Sequence, residues 1–293
     1  MNNLFEKLTC SSEAFWEHYI EDKPFVVHGL NESIQELLDI PMLKSVEELF
    51  INWTYPVDVH ASDVRDEIKS LTVSKDEAKE LFKGGQSILF NDVEGAYPVL
   101  EPWLVAIRRA LKLSQHTFSR SLVYATPEGG GNAPHFDQNI NFVLQIHGEK
   151  KWWVAENSHV INPLNRHVIG LPEDPELESY SDAMPEKFPE KFEEYTLKPG
   201  SLLFVPRGAW HKTEALSDAV SLNFTFTAPA WVDLIMVALR GRLVQSEHWR
   251  ETASDFTSVE TLNKFDALLE NLAEDASTWR ASDIIEALEG EEI

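Results

Sequence analysis

Between Phe118 and Thr227 the chain is a succession of short runs rich in β-branched and aromatic residues, cut repeatedly by Gly and Pro. Ser121–Ala125, Asn139–Ile146, Lys150–Ala155, Tyr195–Leu197, Leu202–Val205 and Ala219–Thr227 each read as a strand. Such side chains suit a pleated, half-buried surface, and the intervening residues suit turns. Many short strands in sequence restrict this stretch to an antiparallel sandwich, barrel or jelly roll. The Gly-rich segment Pro127-Glu128-Gly129-Gly130-Gly131 lacks the Gly-Lys-Ser/Thr ending of a phosphate loop, so it reads as a tight bend feeding a strand.

Helical patterns flank this β-rich stretch. Over residues 11–21, Phe15, Trp16, Tyr19 and Ile20 fall at three- and four-residue spacing, with Ser11 or Ser12 as cap and Lys23-Pro24 as stop. Phe25–Val27 reads as a short strand. Residues 45–83 mix short strands with a helix near Ser74–Phe82, Gly84-Gly85 is a turn, and Ser87–Phe90 is a strand. Residues 99–113 form an amphipathic helix with Trp103, Ile107, Ala110 and Leu111 on one side. After Pro229, Trp231, Leu234, Ile235, Ala238 and Leu239 share one helical face, and Val259, Leu262, Phe265, Leu269 and Leu272 share another, opened by a capping box at Thr257 and Glu260. Ser282 is placed to cap a last helix carrying Ile284, Ile285 and Leu288. The expected organisation is therefore a leading region over 1–117, a β core over 118–228 and a helical region over 229–293. The core carries a long polar insert at 156–194, with ten acidic residues against Arg166, Lys187 and Lys191. A connection of that length inside a compact domain is functional or solvated.

The balance of 49 acidic against 25 basic residues gives a net charge of −24. That charge repels nucleic-acid phosphates and anionic lipid heads, and it attracts a basic polypeptide. Cys10 is the single cysteine, which removes intramolecular disulfides and cysteine-based zinc sites. The first residues carry Glu6 and Lys7 and no long apolar run, and no stretch is long and apolar enough to span a bilayer. The expectation is a cytoplasmic protein outside the membrane.

Chemistry concentrates at Ala133-Pro134-His135-Phe136-Asp137. Strand side chains alternate, so a His and an Asp two apart share a face and can hold one cation together. A third ligand is available from Pro206-Arg207-Gly208-Ala209-Trp210-His211, 76 residues after His135 (211 − 135). Two imidazoles and one carboxylate form the facial set of non-haem Fe(II) oxygenases, which leaves positions for a bidentate 2-oxo acid and dioxygen. His147 and His159 fit no ligand spacing, His116, His167 and His248 read as surface or packed histidines, and Trp152, Trp153 and Trp210 read as barrel packing in preference to lining a substrate pocket.

Taken jointly, these segments resemble the JmjC-type cupin oxygenases, most closely the subgroup that includes the ribosomal-protein hydroxylases. The run from Tyr124 through Asn132 to His135-Phe136-Asp137 resembles that subgroup's first metal motif. Asn141 to Trp152, with Gly148 and Lys150, resembles the hairpin that follows, and Leu197 to His211 resembles the distal motif. Ser221 to Phe226, with Asn223, resembles the closing strand, and Phe15-Trp16 through Phe25 resembles the family's opening segment. The likeness runs over residues 15–228. It implies a mainly β protein with flanking helices and a double-stranded β-helix core. It also implies Fe(II), 2-oxoglutarate as cosubstrate, dioxygen, and a hydroxylated protein or peptide side chain, possible alternatives being a small molecule, a nucleotide, or metal binding without turnover.

By position, the resemblance gives Lys150, 15 residues after His135 (150 − 135), to the far carboxylate of 2-oxoglutarate, with Lys151 facing the other way. Asn141 and Asn223 correspond to polar residues lining the cofactor site of the related asparaginyl hydroxylase, and Asn132 and Tyr124 are further cofactor contacts. Asn141 has the parity of His135 and Asp137, which suits an unbroken strand. Two departures stand out. Ser201 replaces an Asp common after the distal Pro-Gly, and only 65 residues follow Ala228 (293 − 228), too few for the dimerisation and winged-helix regions of the ribosomal hydroxylases. The helices after Pro229 are candidates for a two-fold interface through Trp231, Leu234, Ile235, Leu262, Phe265 and Leu269.

Overall fold

The computed structural model describes residues 4–10, 12–60, 65–66 and 69–289. The chain divides into two compact units, Met1–Leu113 with Thr117–Thr227, and Ser114–His116 with Ala228–Ile293.

The strands of the first unit are β1 (Phe25–Val27), β2 (Val57–His60), β3 (Ser70–Val73), β4 (Ile88–Phe90), β5 (Phe118–Thr126), β6 (His135–Phe136), β7 (Ile140–His147), β8 (Lys150–Ala155), β9 (His167–Val168), β10 (Glu193–Leu197), β11 (Leu202–Val205), β12 (Trp210–Ala215) and β13 (Ala219–Thr227). They form an eight-stranded sheet in the order β1-β11-β7-β13-β5-β4-β2-β3 and a five-stranded sheet in the order β10-β8-β12-β6-β9. From β5 to β8, and again from β10 to β13, successive strands in the chain change sheet. That winding makes the core a double-stranded β-helix, or jelly roll. Four of the eight strands in the larger sheet precede Phe118.

Period-two alternation explains both faces of the larger sheet. Along β13, Val220, Leu222, Phe224 and Phe226 enter the main apolar core with Phe142, Leu144 and Phe204. The side chains between them, Ser221, Asn223 and Thr225, are buried polar groups on the opposite face. The helices α1 (Leu4–Thr9), α2 (Ser12–Ile20), α3 (Gln35–Leu38), α4 (Val46–Asn52), α5 (Lys75–Lys83), α6 (Val93–Ala96) and α7 (Glu101–Ala110) belong to this unit. Phe5, Leu8, Phe15, Trp103 and Ile107 from these helices share the same core. Ser45 caps α4 through Glu48 N–H (3.1 Å), and Ser74 caps α5 through Glu77 N–H (3.3 Å). The cap proposed at Ser11 lies outside the described residues.

A second apolar cluster, with Val143, Trp152, Val154, Leu203 and Val205, has members from both sheets. A third joins Phe136, Ala155 and Trp210 to Val160 and Leu177. Val160 and Leu177 belong to the acidic insert, which therefore packs on the small sheet instead of standing in solvent, and contributes β9 and the short helix α8 (Pro175–Glu178). Gly131 brings the chain into the metal strand with φ +153°, and a Cβ there would lie 2.0 Å from the Thr213 carbonyl oxygen, so a larger residue does not fit.

The second unit contains α9 (Trp231–Leu243), α10 (Val259–Ala276) and α11 (Ala281–Glu289). No residue of α9 or α10 is fully buried. Arg242 joins α9 to α10 through two hydrogen bonds to Asp275, at 2.9 and 2.7 Å. Two cap expectations differ from the structure. Ser258, not Thr257, accepts at the start of α10 (Thr261 N–H, 3.4 Å). Ser282 lies inside α11, bonded to Asp283 (3.0 Å). Among the described residues, no helix is long and apolar enough to cross a membrane.

Candidate metal centre

β6 pairs with β12 so that His135 and His211 are direct partners in the ladder. Both are buried, and their ring centroids are 4.1 Å apart. The Nδ1 of His135 donates to the Ala133 carbonyl (2.7 Å), and the Nδ1 of His211 donates to the Ala209 carbonyl (2.9 Å). A carbonyl can only accept, so each Nδ1 carries its proton and each Nε2 lone pair is left to a metal. Asp137 Oδ2 lies 3.9 Å from His135 Nε2 and 3.6 Å from His211 Nε2. One ligand atom from each of the three lies within 4.8 Å of the others, and among the described residues this is the one such group of His, Cys, Asp or Glu.

The route to this geometry differs in one respect from the sequence expectation. β6 ends at Phe136, so Asp137 stands just past the strand and Asn141 starts from a different strand in the other sheet. Parity along one unbroken strand does not place Asn141. It reaches the site from β7, with Nδ2 donating to Asp137 Oδ2 (3.4 Å) and Oδ1 accepting from Thr225 (2.8 Å).

Electrostatics favour a cation here. Burial pulls the His135 imidazole down to about 4, and burial together with the neighbouring His135 pulls His211 to about 4, so both are neutral at pH 7. Burial alone would raise the Asp137 carboxyl, but Arg166, His135 and His211 outweigh it and hold the group below the ordinary carboxylate range. The set at pH 7 is two neutral nitrogens and one carboxylate.

Lys150 projects into the same cavity from β8, 3% exposed. Its Nζ donates to Thr126 Oγ1 (3.1 Å) and stands over the rings of Tyr124 (5.7 Å) and Trp152 (5.8 Å). Among the described residues no carboxylate pairs with it, and burial draws the amine down to about 8. Lys151 lies on the other face of β8 and pairs with Glu194 (2.9 Å). Tyr124, Asn132 and Asn223 line the cavity with Lys150 and the metal ligands. The Oδ1 atoms of Asn132 and Asn223 and the Nε1 of Trp152 are buried and make no hydrogen bond among the described residues. A cavity with a tridentate ligand set at one side, a buried uncompensated ammonium, and unsatisfied polar atoms between them fits a metal plus a bound dicarboxylate. Another cavity, about 620 Å³, lies in the second unit against Arg242, Trp279 and Ile284, and contains no such ligand set among the described residues.

Sequence reasoning favoured packing over pocket lining for Trp152. The indole does pack, lying near-parallel to His211 (5.7 Å, 20°), but it also lines the cavity. Arg166 and Asp66 were missed. Arg166 Nε lies 3.2 Å from Asp137 Oδ1, and its other nitrogens meet Asp66 at 2.9 and 3.0 Å. The sole sequence signal for Arg166 is its place as one of three cations in an acidic stretch. Ser201, which departs from the family pattern, acts locally: its Oγ accepts from Lys198 N–H (3.0 Å) and contacts His28 Nδ1 (2.7 Å).

The JmjC domain family matches residues 103–234. The chain is 32% identical to the uncharacterised protein YxbC of Bacillus subtilis (strain 168), over 98% of this chain and 90% of that one. It is 26% identical to ribosomal oxygenase 2 of Bos taurus, over 82% of this chain and 51% of that protein. It spans about half the length of that relative and 20% of ribosomal oxygenase 1 of Danio rerio. Among solved structures, the Escherichia coli ribosomal oxygenase YcfD superposes with a TM-score of 0.50 at 19% identity, covering 90% of this chain and 67% of that one, a likeness of fold. With a jelly-roll core that houses a His-Asp-His site, the chain belongs to the JmjC domain family.

Proposed function

We propose that this protein is an Fe(II)- and 2-oxoglutarate-dependent oxygenase that hydroxylates a side chain of a basic protein, with ribosomal proteins as the substrate class. The observation that carries the reading is the pairing of a His135–Asp137–His211 set with the buried, carboxylate-free Lys150 in one cavity. When bound, iron, 2-oxoglutarate and dioxygen together supply oxidation of a substrate C–H bond to C–OH, with the cosubstrate leaving as succinate and carbon dioxide.

The chain's own part is to bind, orient and exclude water. His135, Asp137 and His211 hold the ion on one side and leave the remaining positions open. Lys150 pairs with the far carboxylate, with Thr126 keeping its ammonium in place. Asn132, Asn223, Tyr124 and Trp152 offer polar atoms or ring faces along the cosubstrate. Asn141 steadies the inner oxygen of Asp137. No protein nucleophile or acid–base pair is required, since the bond-making belongs to the bound group.

The substrate class is supported by the names of the relatives, ribosomal oxygenase among them, and by the net charge of −24. We place the protein in the cytoplasm as a homodimer joined through its second unit. Trp231 is 80% exposed and Phe265 is 50% exposed, as an apolar interface would require before assembly. Sedimentation of the wild type and of a Trp231→Glu/Phe265→Glu variant checks this, and a wild-type monomer at high micromolar concentration rejects it.

The reading is tested by incubating the protein with Fe(II), 2-oxoglutarate and isolated ribosomal proteins. Succinate release should accompany a gain of about 16 Da, one oxygen atom, on one protein. Succinate without a protein mass gain turns the substrate toward a small molecule or nucleotide. Metal uptake without succinate leaves a binding cupin and overturns the oxygenase reading.

A further inference from the structure

The insert between β8 and β10 returns to the metal strand. β9 pairs with β6 in the register His135↔Val168 and Phe136↔His167. Carried one step further, that antiparallel register sets Arg166 opposite Asp137. The Ile169 amide bonds the Pro134 carbonyl at 3.0 Å and fixes the alignment. Arg166 follows the register, with its Nε 3.2 Å from Asp137 Oδ1. The rest of the guanidinium meets Asp66 end-on, at 2.9 Å from Nη1 to Oδ1 and 3.0 Å from Nη2 to Oδ2. Asp66 is fully buried, and the chain beside it is tied to the metal strand by the Ala133 amide on the Arg65 carbonyl, at 3.0 Å.

We infer that Arg166 is a positioning residue for Asp137, held in place by Asp66, and that it keeps the carboxylate a one-oxygen ligand. The inference rests on the metal-site reading above. Asp137 has two chemically equal oxygens. Oδ2 faces the two imidazoles and accepts from Asn141, whereas Oδ1 is ion-paired with Arg166 Nε at 3.2 Å, with the N–H not aligned as a hydrogen bond. A carboxylate free to turn can chelate a metal through both oxygens and close one of the positions that a bidentate 2-oxo acid and dioxygen need. A cation beside a divalent metal would by itself weaken metal binding. Asp66 cancels that charge, so the Arg166–Asp66 pair adds direction with little net repulsion. Neither a lysine nor a glutamine reproduces a planar fork that spans two carboxylates.

The test uses Co(II) as the metal probe on the intact protein, without cosubstrate or oxygen, and reads affinity and visible absorption alongside thermal denaturation. Arg166→Gln should change the absorption spectrum, as a carboxylate turned to two-oxygen ligation does, while Co(II) affinity does not fall, since the variant removes a cation and frees a second oxygen. Arg166→Gln also removes a cation from beside buried Asp66, which lowers stability. Asp66→Asn/Arg166→Gln should recover much of that stability while the altered spectrum remains. Arg166→Lys should not restore the wild-type spectrum. Arg166→Gln with the wild-type spectrum overturns the inference, and so does a double variant whose spectrum returns together with its stability. A wild-type protein that takes up no Co(II) overturns the metal-site reading itself, and this inference with it.

Discussion

His135 and His211 are cross-strand partners on β6 and β12, opposite one another in the ladder with ring centroids 4.1 Å apart. The ladder fixes their backbones, and each Nδ1 is tethered to the carbonyl two residues before it, Ala133 or Ala209. The ligand set is therefore pre-formed by backbone pairing, without help from a metal. His135→Ala, Asp137→Ala and His211→Ala should each remove divalent-metal binding and cosubstrate turnover while the protein remains folded by circular dichroism. Retention of one bound equivalent of metal by the Asp137→Ala and His211→Ala proteins would sink the ligand assignment.

Lys150 should behave as a residue kept for function at a cost in stability. Its ammonium is buried with one hydroxyl partner, and burial lowers its pKa from the ordinary 10.5 to about 8. The folded state thus carries the full burden of the buried charge below pH 8, and that burden fades as pH rises through 8 toward 10.5. Lys150→Met should stabilise the cosubstrate-free protein by about 1–3 kcal/mol, because a buried charge is replaced by an apolar chain of similar size. It should also abolish 2-oxoglutarate binding, while Lys151→Ala, on the outer face with Glu194, leaves binding intact. Wild-type affinity for 2-oxoglutarate should decline above pH 8, as the free amine loses its proton. Calorimetric titration across pH 7 to 9.5 with the three proteins checks each statement, and unchanged affinity in Lys150→Met would refute the assignment.

The metal ligands were legible because their signals are local: a His-x-Asp and a Pro-Arg-Gly-Ala-Trp-His, each readable within a few residues. The jelly roll was legible through its turns and its period-two runs. What escaped depends on long-range pairing. Asp66 and Arg166 are 100 residues apart, and neither has a neighbour that predicts the other. Asn141 came from the resemblance, and the strand parity that suited it does not apply, since the strand stops at Phe136 and the register of a second sheet delivers the residue instead. In the insert, Val160 and Leu177 are too diluted among acidic residues to show that they pack on the small sheet. The cap of α10 was misplaced by one residue, since more than one Ser or Thr near its start can accept a first-turn amide.

Protonation of buried histidines should set the acid limit of the metal-free protein. His60 is buried against Tyr124, both its ring nitrogens lack hydrogen bonds among the described residues, and burial lowers it to about 4. Between its unfolded value of 6.5 and about 4, the unfolded chain binds a proton that the folded site refuses. Stability is therefore level above pH 6.5 and falls as pH drops through this window, by up to about 3 kcal/mol for His60. His135 and His211 act in the same direction when no metal is bound. Urea midpoints of the metal-free protein should be lower at pH 5 than at pH 7.5, and His60→Phe should reduce the difference. A His60→Phe protein with the wild-type pH slope would assign the effect elsewhere.

Charge should govern the encounter with substrate. The chain carries a net charge of −24, and ten acidic residues lie between Glu156 and Glu194, in the same connection that carries Arg166 to the metal strand. Opposite charge accelerates association and disfavours acidic competitors, and both effects are screened within about 10 Å at 0.1 M salt. A basic protein substrate should therefore show a KM that rises steeply with ionic strength while kcat changes little, because salt weakens encounter and leaves the enclosed metal cavity alone. Replacing Glu173, Asp174, Glu176 and Glu178 with the corresponding amides should reproduce the effect of salt at low ionic strength. Those four residues lie in the short helix α8 or just before it and are not among the residues lining the metal cavity. Steady-state kinetics between 0.02 and 0.3 M salt, roughly one Debye length of 20 Å down to 6 Å, separates the outcomes. A substrate whose KM ignores salt, or one that is itself acidic, would leave the acidity as a contribution to solubility alone.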